Sequence, residues 1–120
     1  RGAGQLLKAL REGGLRIGVL TNYLREVQQE TLEATELLPL VDALVTVSDA
    51  PPKPHLGSYA AICKALDVTP DRAVMVGDSW ANDVAGAVSA GLRAVWYAPV
   101  GQQAPADVPH RRLNSYEPLQ

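Results

Sequence analysis

Excess charge, paired cysteines and long apolar runs are all missing from this chain of 120 residues. Lysine and arginine number 11 against 13 aspartates and glutamates, a formal net charge of −2, so nothing electrostatic points to a nucleic-acid or acidic-membrane partner. Cys63 is the one cysteine. It excludes an internal disulfide and suits a reducing compartment, so the expected location is cytoplasmic. No apolar run approaches the ~20 residues that a membrane-spanning helix requires. There is no internal repeat and no low-complexity tract. No GxGxxG turn follows a predicted strand, which removes the usual argument for a plain dinucleotide-binding domain. At 47% hydrophobic and 20% charged residues the composition is that of an ordinary globular domain, and the length fits one. The opening "RGAGQLLKAL" has no initiator Met and turns helical almost at once; it reads as the interior of a longer protein.

Two kinds of segment alternate along the chain. Short, β-branched apolar runs occur at Arg16–Leu20, Ala43–Val47, Ala73–Val76 and Ala94–Ala98. Runs of this kind without polar alternation suit strands buried on both faces of a parallel sheet. Between them, the spacing predicts helices over Gln5–Glu12, Leu24–Leu38, His55–Leu66 and Asp83–Ala90. The first stops at Gly13-Gly14, and the last ends at Gly91, a natural left-handed cap. The α-β-α-β-α-β-α-β order predicts a three-layer α/β/α sandwich with a parallel, Rossmann-like sheet and right-handed crossovers. Residues 100–120 form an irregular, proline-rich tail with one short edge strand near Arg112–Asn114.

In an open parallel sheet, ligands bind beyond the carboxyl ends of the strands. The residues there are Thr21-Asn22 after the first strand, Ser48-Asp49 after the second and Gly77-Asp78-Ser79 after the third. Lys53 lies in the loop "DAPPKPH". A hydroxyl, an ammonium and carboxylates on one rim match the needs of phosphoryl chemistry. Mg²⁺ takes one or two protein carboxylates with phosphate oxygens and water, and lysine places a compact charge against a phosphoryl group. Each residue also has a plain structural reading. Thr21 or Asn22 can cap the helix beginning near Leu24, and Asp83 can cap its own helix. Asp78 is a good turn residue. Lys53 is an ordinary loop residue, and Ser48 and Asp49 can simply end a strand. Trp80 and Cys63 read as rim packing and core, and His55 as surface.

The stretches "IGVLTN", "PPKP" and "VMVGDSWANDVAGAVSAGLRAVW", in that order, resemble motifs II, III and IV of the haloacid dehalogenase superfamily, whose members are mostly phosphatases working through an aspartyl-phosphate. The resemblance runs from about Gln5 to Pro99. It implies that Thr21 binds the phosphoryl group with Asn22 beside it. It implies that Lys53 neutralises the nucleophile and the phosphoryl charge, and that Asp78 and Asp83 hold Mg²⁺, directly or through water. The departures are equally specific. Motif I, a DxDx[TV] strand end carrying the nucleophile, is absent, and no Asp-x-Asp occurs anywhere. In the family that strand lies centrally, between the motif II and motif IV strands. The helical cap is missing too, unless residues 1–13 are its exit helix; residues 14–99 then carry motifs II to IV. The loop "SDAPPKP" is short, and His55 stands where an acidic residue often follows Lys-Pro.

The expected function is therefore a Mg²⁺-dependent phosphatase acting on a small phosphorylated substrate, with its nucleophile outside this chain. The alternatives are a dehalogenase or phosphomutase of the same superfamily, and a catalytically inactive remnant or interaction domain. A dehalogenase needs no Mg²⁺, so the acidic pair weighs against it. Without a central strand, the motif II and IV strands must close up on each other or leave unpaired backbone groups. The missing N-terminal segment of the same protein, or a partner chain, is expected to complete the sheet.

Overall fold

A computed structural model describes residues 3–114; the remainder of the expected N-terminal and tail segments lies outside the described residues. The elements are α1 (Ala3–Glu12), β1 (Gly18–Leu20), α2 (Arg25–Ala34), β2 (Ala43–Val45), α3 (Leu56–Leu66) and β3 (Val74–Gly77). A π-helical turn (Trp80–Ala85) then leads into α4 (Gly86–Ser89), β4 (Arg93–Tyr97) and β5 (Arg111–Leu113). The expected alternation forms, and β5 starts one residue ahead of the predicted edge strand. α2 is shorter than predicted. Glu36 takes a left-handed φ of 60°, which stops the helix, and Leu38–Leu40 coils into a 3-10 turn.

All strands run parallel. β1 pairs with β2 with Gly18 opposite Ala43. β3 pairs with β4 with Val74 opposite Arg93, and β4 with β5 with Val95 opposite Arg111. The architecture is the α/β sandwich that the sequence predicts, but its sheet is in two pieces. β1 and β3 do not close up on each other; among the described residues each pairs with one strand only.

Helix α3 joins the pieces. Its buried Tyr59, Ile62 and Cys63 share one core with Val45 from β2, Ala87 from α4 and Leu92. Leu20 of β1 and Met75 of β3 pack against the same cluster. The approach is close: a Cβ on Gly18 would lie 2.8 Å from the Ile62 Cδ1, so a side chain there would push β1 off the helix. Burying a side chain the size of Ile62 contributes about 2 kcal/mol. A second core gathers Val84 with Ala94, Trp96 and Ala98 on one face of β4.

The expectation that the strands are buried on both faces fails at β3. Met75 enters the core, but Val74 and Val76, pointing the other way, are 55% and 42% exposed. On α2, Leu32 is buried while Leu24 and Val27 of the predicted apolar face stay exposed. These side chains lack a covering layer among the described residues. No helix among the described residues is long and apolar enough to cross a membrane.

Carboxylates pin the loops. Asp42 accepts from the Arg11 guanidinium (2.6 Å) and from the Ile17 amide (2.6 Å), tying α1 to the entry of β1. Asp49 accepts from the Thr46 amide (2.9 Å), the Thr46 hydroxyl (3.0 Å) and Arg25 (2.6 Å). The Arg11 hydrogen bond, then the Ile17 amide, holds the Asp42 carboxyl below the usual aspartate range. At Asp49 the Thr46 amide leads, with the Thr46 hydroxyl and Arg25 behind it. A folded-state pKa below the unfolded value means that the unfolded chain binds more protons, so stability rises with pH through this window. The contribution is complete above the unfolded value of about 4 and is lost as pH falls through the folded values. Urea midpoints should hold steady from neutral pH to about 5 and drop below about 4. The pair of changes Asp42→Asn and Asp49→Asn should flatten that acid limb, and an unaltered limb would contradict the assignment.

Candidate active site

The ends of β1 and β3 and the loop after β2 converge through a chain of polar contacts. Thr21 leaves β1 with its amide still donating to the Val45 carbonyl (3.1 Å). Its hydroxyl accepts from the Tyr23 amide (3.1 Å), a local turn that competes with helix formation. Neither Thr21 nor Asn22 caps α2. The cap position is Leu24, which makes no side-chain cap bond, so that structural reading is corrected: the helix begins too late for either residue to reach it.

Asn22 instead grips the Lys53 backbone at two points. Its Nδ2 donates to the Lys53 carbonyl (3.2 Å), and its Oδ1 accepts from the Lys53 amide (2.8 Å). An amide side chain matches a peptide unit in both donor and acceptor, so the loop after β1 is stitched to the loop after β2. Asn22→Ala removes both bonds and should cost about 1–2 kcal/mol in urea unfolding. A change within experimental error would mean that the clamp does not form.

Held in this way, Lys53 sends its side chain inward, and its Nζ lies 2.7 Å from the Asp83 Oδ1. The side chains are 11% and 8% exposed, so this is a nearly dry ion pair, kept in place by further hydrogen bonds as buried pairs must be. The other Asp83 oxygen, Oδ2, accepts from the Ser79 amide (3.0 Å). Gly77 makes room for it: a Cβ there would sit 2.1 Å from the Asp83 Oδ2. The Ser79 hydroxyl accepts in return from the Asn82 amide (3.2 Å), which is the reciprocal logic of a capping box. This corrects the predicted helix start. The helix opens at Trp80 as a π turn, Ser79 is its cap, and Asp83 lies a turn inside it with its carboxylate folded back.

Asp78 differs. It is exposed, and among the described residues no hydrogen bond or ion pair engages its carboxylate. No group of three or more His, Cys, Asp or Glu side chains among the described residues is placed to hold a metal. A site here therefore offers two carboxylates, a donor set that fits Mg²⁺, which takes one or two and completes its octahedron with water and substrate oxygens. Asp78 is open to bind directly. Asp83, with one oxygen on Lys53 and the other on Ser79, fits the role of an outer partner acting through water.

The structure thus joins Asn22, Lys53 and Asp83 by direct contacts and puts Asp78 on the same turn as Asp83. Thr21 is next to Asn22, but its hydroxyl bonds Tyr23 and not Lys53 or the acids. Asp49 goes to the structural turn that closes β2. His55 caps α3, its Nδ1 accepting from the Gly57 amide (2.9 Å). Cys63 is buried, and Trp80 packs edge-on against Trp96 with centroids 4.9 Å apart.

Sequence reasoning passes over Tyr59 and Trp96, and reads Ser79 only as a strand-end residue. Tyr59 reads as one more inward-facing apolar position, yet a buried tyrosine hydroxyl needs a partner. It donates to the Asn82 carbonyl (2.6 Å). Burial, with the Asp83 charge added, pushes its pKa up to about 12, so it stays a donor. The Ser79-to-Asp83 spacing was a legible signal, one residue longer than a capping box.

A profile of the haloacid dehalogenase-like hydrolases matches residues 1–91. The chain is 28% identical to the glyceraldehyde 3-phosphate phosphatase of Pyrococcus furiosus, across 96% of this chain and 48% of that protein. It is 38% identical to the pyrimidine 5'-nucleotidase YjjG of Escherichia coli, across 79% of this chain and 43% of that protein. The solved HAD phosphatase of Thermococcus onnurineus superposes with a TM-score of 0.86 at 32% identity, covering 93% of this chain and 52% of that one. The chain spans about half the length of the relatives it matches. Its parallel strands, its polar strand-end rim and the profile match all agree: the chain belongs to the haloacid dehalogenase-like hydrolase family.

Proposed function

We propose that the parent protein is a Mg²⁺-dependent phosphatase that hydrolyses a small phosphate monoester through an aspartyl-phosphate. The observation that carries this reading is the Lys53–Asp83 pair at 2.7 Å, set beside an Asp78 carboxylate that no group among the described residues engages. The buried ammonium is oriented by Asp83 and supported from behind by Asn22. It suits a developing phosphoryl charge, and the retained acidic pair weighs against a dehalogenase.

In this proposal an aspartate from outside this chain attacks phosphorus. The P–O bond to the leaving group breaks, and the leaving oxygen takes a proton. Water then attacks the aspartyl-phosphate, releasing inorganic phosphate and restoring the carboxylate. The Thr21 hydroxyl and the Asn22 backbone bind phosphoryl oxygens, and Lys53 stabilises their charge. Asp78 holds Mg²⁺ with Asp83 as its outer partner. The ion, when bound, offsets the charge that the attacking carboxylate and the phosphate bring together.

The attacking aspartate belongs to a strand lying between β1 and β3, supplied by an N-terminal segment of the same protein or by a partner chain. Support comes from the two sheet pieces, which stay apart, and from the relatives' greater length. On this reading the 120 residues of this chain are catalytically inactive by themselves.

The test is phosphate release by the parent protein from a panel of sugar phosphates and nucleoside monophosphates. Release should disappear in EDTA and return with excess Mg²⁺. Undiminished release in EDTA would remove the metal from the proposal.

A further inference from the structure

Two buried aromatic side chains, neither of them on the rim, reach the backbone of the turn that carries Asp78 and Asp83. From β4, the Trp96 indole N–H donates to the Asp78 carbonyl (3.1 Å). From α3, the Tyr59 hydroxyl donates to the Asn82 carbonyl (2.6 Å). One bond is made by the first carboxylate residue, and the other by the residue just before the second. We propose that Tyr59 and Trp96 are positioning residues that set the separation of the two carboxylates, and through it the affinity of the pair for a divalent cation. This rests on the reading of Asp78 and Asp83 as the Mg²⁺ site.

The local backbone explains why such anchors are needed. Trp80–Ala85 is a π turn that gives way at Gly86 to an α-helix. Changing from i→i+5 to i→i+4 bonding puts a carbonyl out of step with the amides that follow, and π turns of this kind are rare and frequent at functional sites. At this junction the Tyr59 hydroxyl meets the Asn82 carbonyl. Gly86 is what lets it in, because a Cβ there would lie 2.2 Å from the Tyr59 Oη.

Both aromatic rings are rigidly seated. Tyr59 is 0% exposed and Trp96 2%. Trp96 is flanked edge-on by Trp80 and His110, and the Arg112 guanidinium lies over its ring at 4.9 Å from the centroid. A side chain locked by packing transmits its position to the group it bonds. A floppy one would let the turn relax and the carboxylates drift apart. Neither ring bonds a carboxylate directly, so both act through the backbone.

Mn²⁺ alone serves as the probe. Its binding to the parent protein is followed by the loss of the free-ion signal in electron paramagnetic resonance, with no substrate present. Tyr59→Phe removes one oxygen and keeps the ring. It should weaken Mn²⁺ binding about tenfold or more, the range seen when an outer partner of a metal ligand is removed. The thermal midpoint should fall by several degrees, because the Asn82 carbonyl loses a buried donor, while at saturating Mg²⁺ the KM for substrate should stay near that of the unmodified protein. Gly86→Ala, which pushes the hydroxyl away and also meets the Pro54 Cβ (2.9 Å) and the Ala81 carbonyl (3.0 Å), should lower affinity in the same direction with Tyr59 intact, with a fall in thermal midpoint. Trp96→Phe should act in the same direction, with a fall in thermal midpoint because the ring is also core.

Unchanged Mn²⁺ affinity in Tyr59→Phe overturns the inference, whether or not the thermal midpoint falls. Asp78→Asn in the same titration separates the two levels. If it abolishes binding while Tyr59→Phe leaves binding unchanged, the site stands and the positioning role falls. If Asp78→Asn leaves Mn²⁺ binding intact, the site assignment falls and the inference falls with it.

Discussion

Asp78→Asn in the parent protein is expected to lower phosphatase turnover by about 10²–10³-fold, the scale on which a preorganised electrostatic contact acts, while leaving the fold untouched. The side chain is exposed and no group among the described residues engages its carboxylate, so its charge contributes little to folding; surface changes of this kind stay within about 0.5 kcal/mol. The amide keeps the shape and removes the negative charge that the cation requires. Lys53→Ala should reduce turnover comparably, but with a structural cost. It leaves Asp83 8% exposed and without its partner, and stranding one member of a buried pair costs about 3–5 kcal/mol. Replacing both members, Lys53→Met with Asp83→Asn, should recover much of that stability and none of the turnover. The measurements are kcat with a saturating phosphate monoester and the urea midpoint of each variant. Near-normal turnover in Asp78→Asn would end the metal assignment, and an unaltered midpoint in Lys53→Ala would mean that the ion pair is not formed in solution.

The contrast between these two residues shows what was legible in the sequence and what was not. The alternation of strands and helices, the parallel sheet and the strand-end positions of Thr21, Lys53 and Asp78 follow from local patterns: apolar runs, turn residues and the order of motifs. Asn22 and Tyr59 act through contacts between segments far apart in the chain, whereas Ser79 acts locally, through Asn82 and Asp83. Asn22 bonds a backbone 31 residues away, and no periodicity reports such a pairing. The helix over Asp83 was legible, but its start was not. Within its π turn the Asn82 carbonyl accepts from the Tyr59 hydroxyl, 23 residues back in the chain, a contact that the propensities of Trp80–Ala85 do not report. Apolar patterning misled at Val27, Val74 and Val76, because a buried face can be read from sequence without revealing which segment buries it.

Those exposed side chains bear on the last prediction. The purified 120-residue chain is expected to release no phosphate from p-nitrophenyl phosphate with Mg²⁺, although Lys53, Asp83 and Asp78 are already in place. Charge stabilisation without a positioned nucleophile leaves only slow attack by water: nothing in "TN", "PPKP" or "GDSWAND" supplies a carboxylate to phosphorus that is not already committed to Lys53, Ser79 or the proposed metal. The division of the sheet into two pieces also limits stability. β1 and β3 each pair with one strand among the described residues, and the outward face of β3 presents Val74 and Val76 to water. Amides of β1 and β3 should therefore exchange with solvent faster than those of β4, which pairs on both sides, as expected where local opening exposes little further apolar surface. Adding the segment that supplies the missing strand should slow exchange in β1 and β3 together. It should also stabilise the fold by mass action, by about 2.7 kcal/mol at a hundred times its dissociation constant, and bring Mg²⁺-dependent turnover with it. Turnover by the chain alone would show that the nucleophile lies within these residues. Stabilisation without turnover would show that the strand completes the sheet while the reacting carboxylate comes from elsewhere. Because one strand is proposed to do both, protection of β1 and β3 and the onset of catalysis should follow the same binding curve.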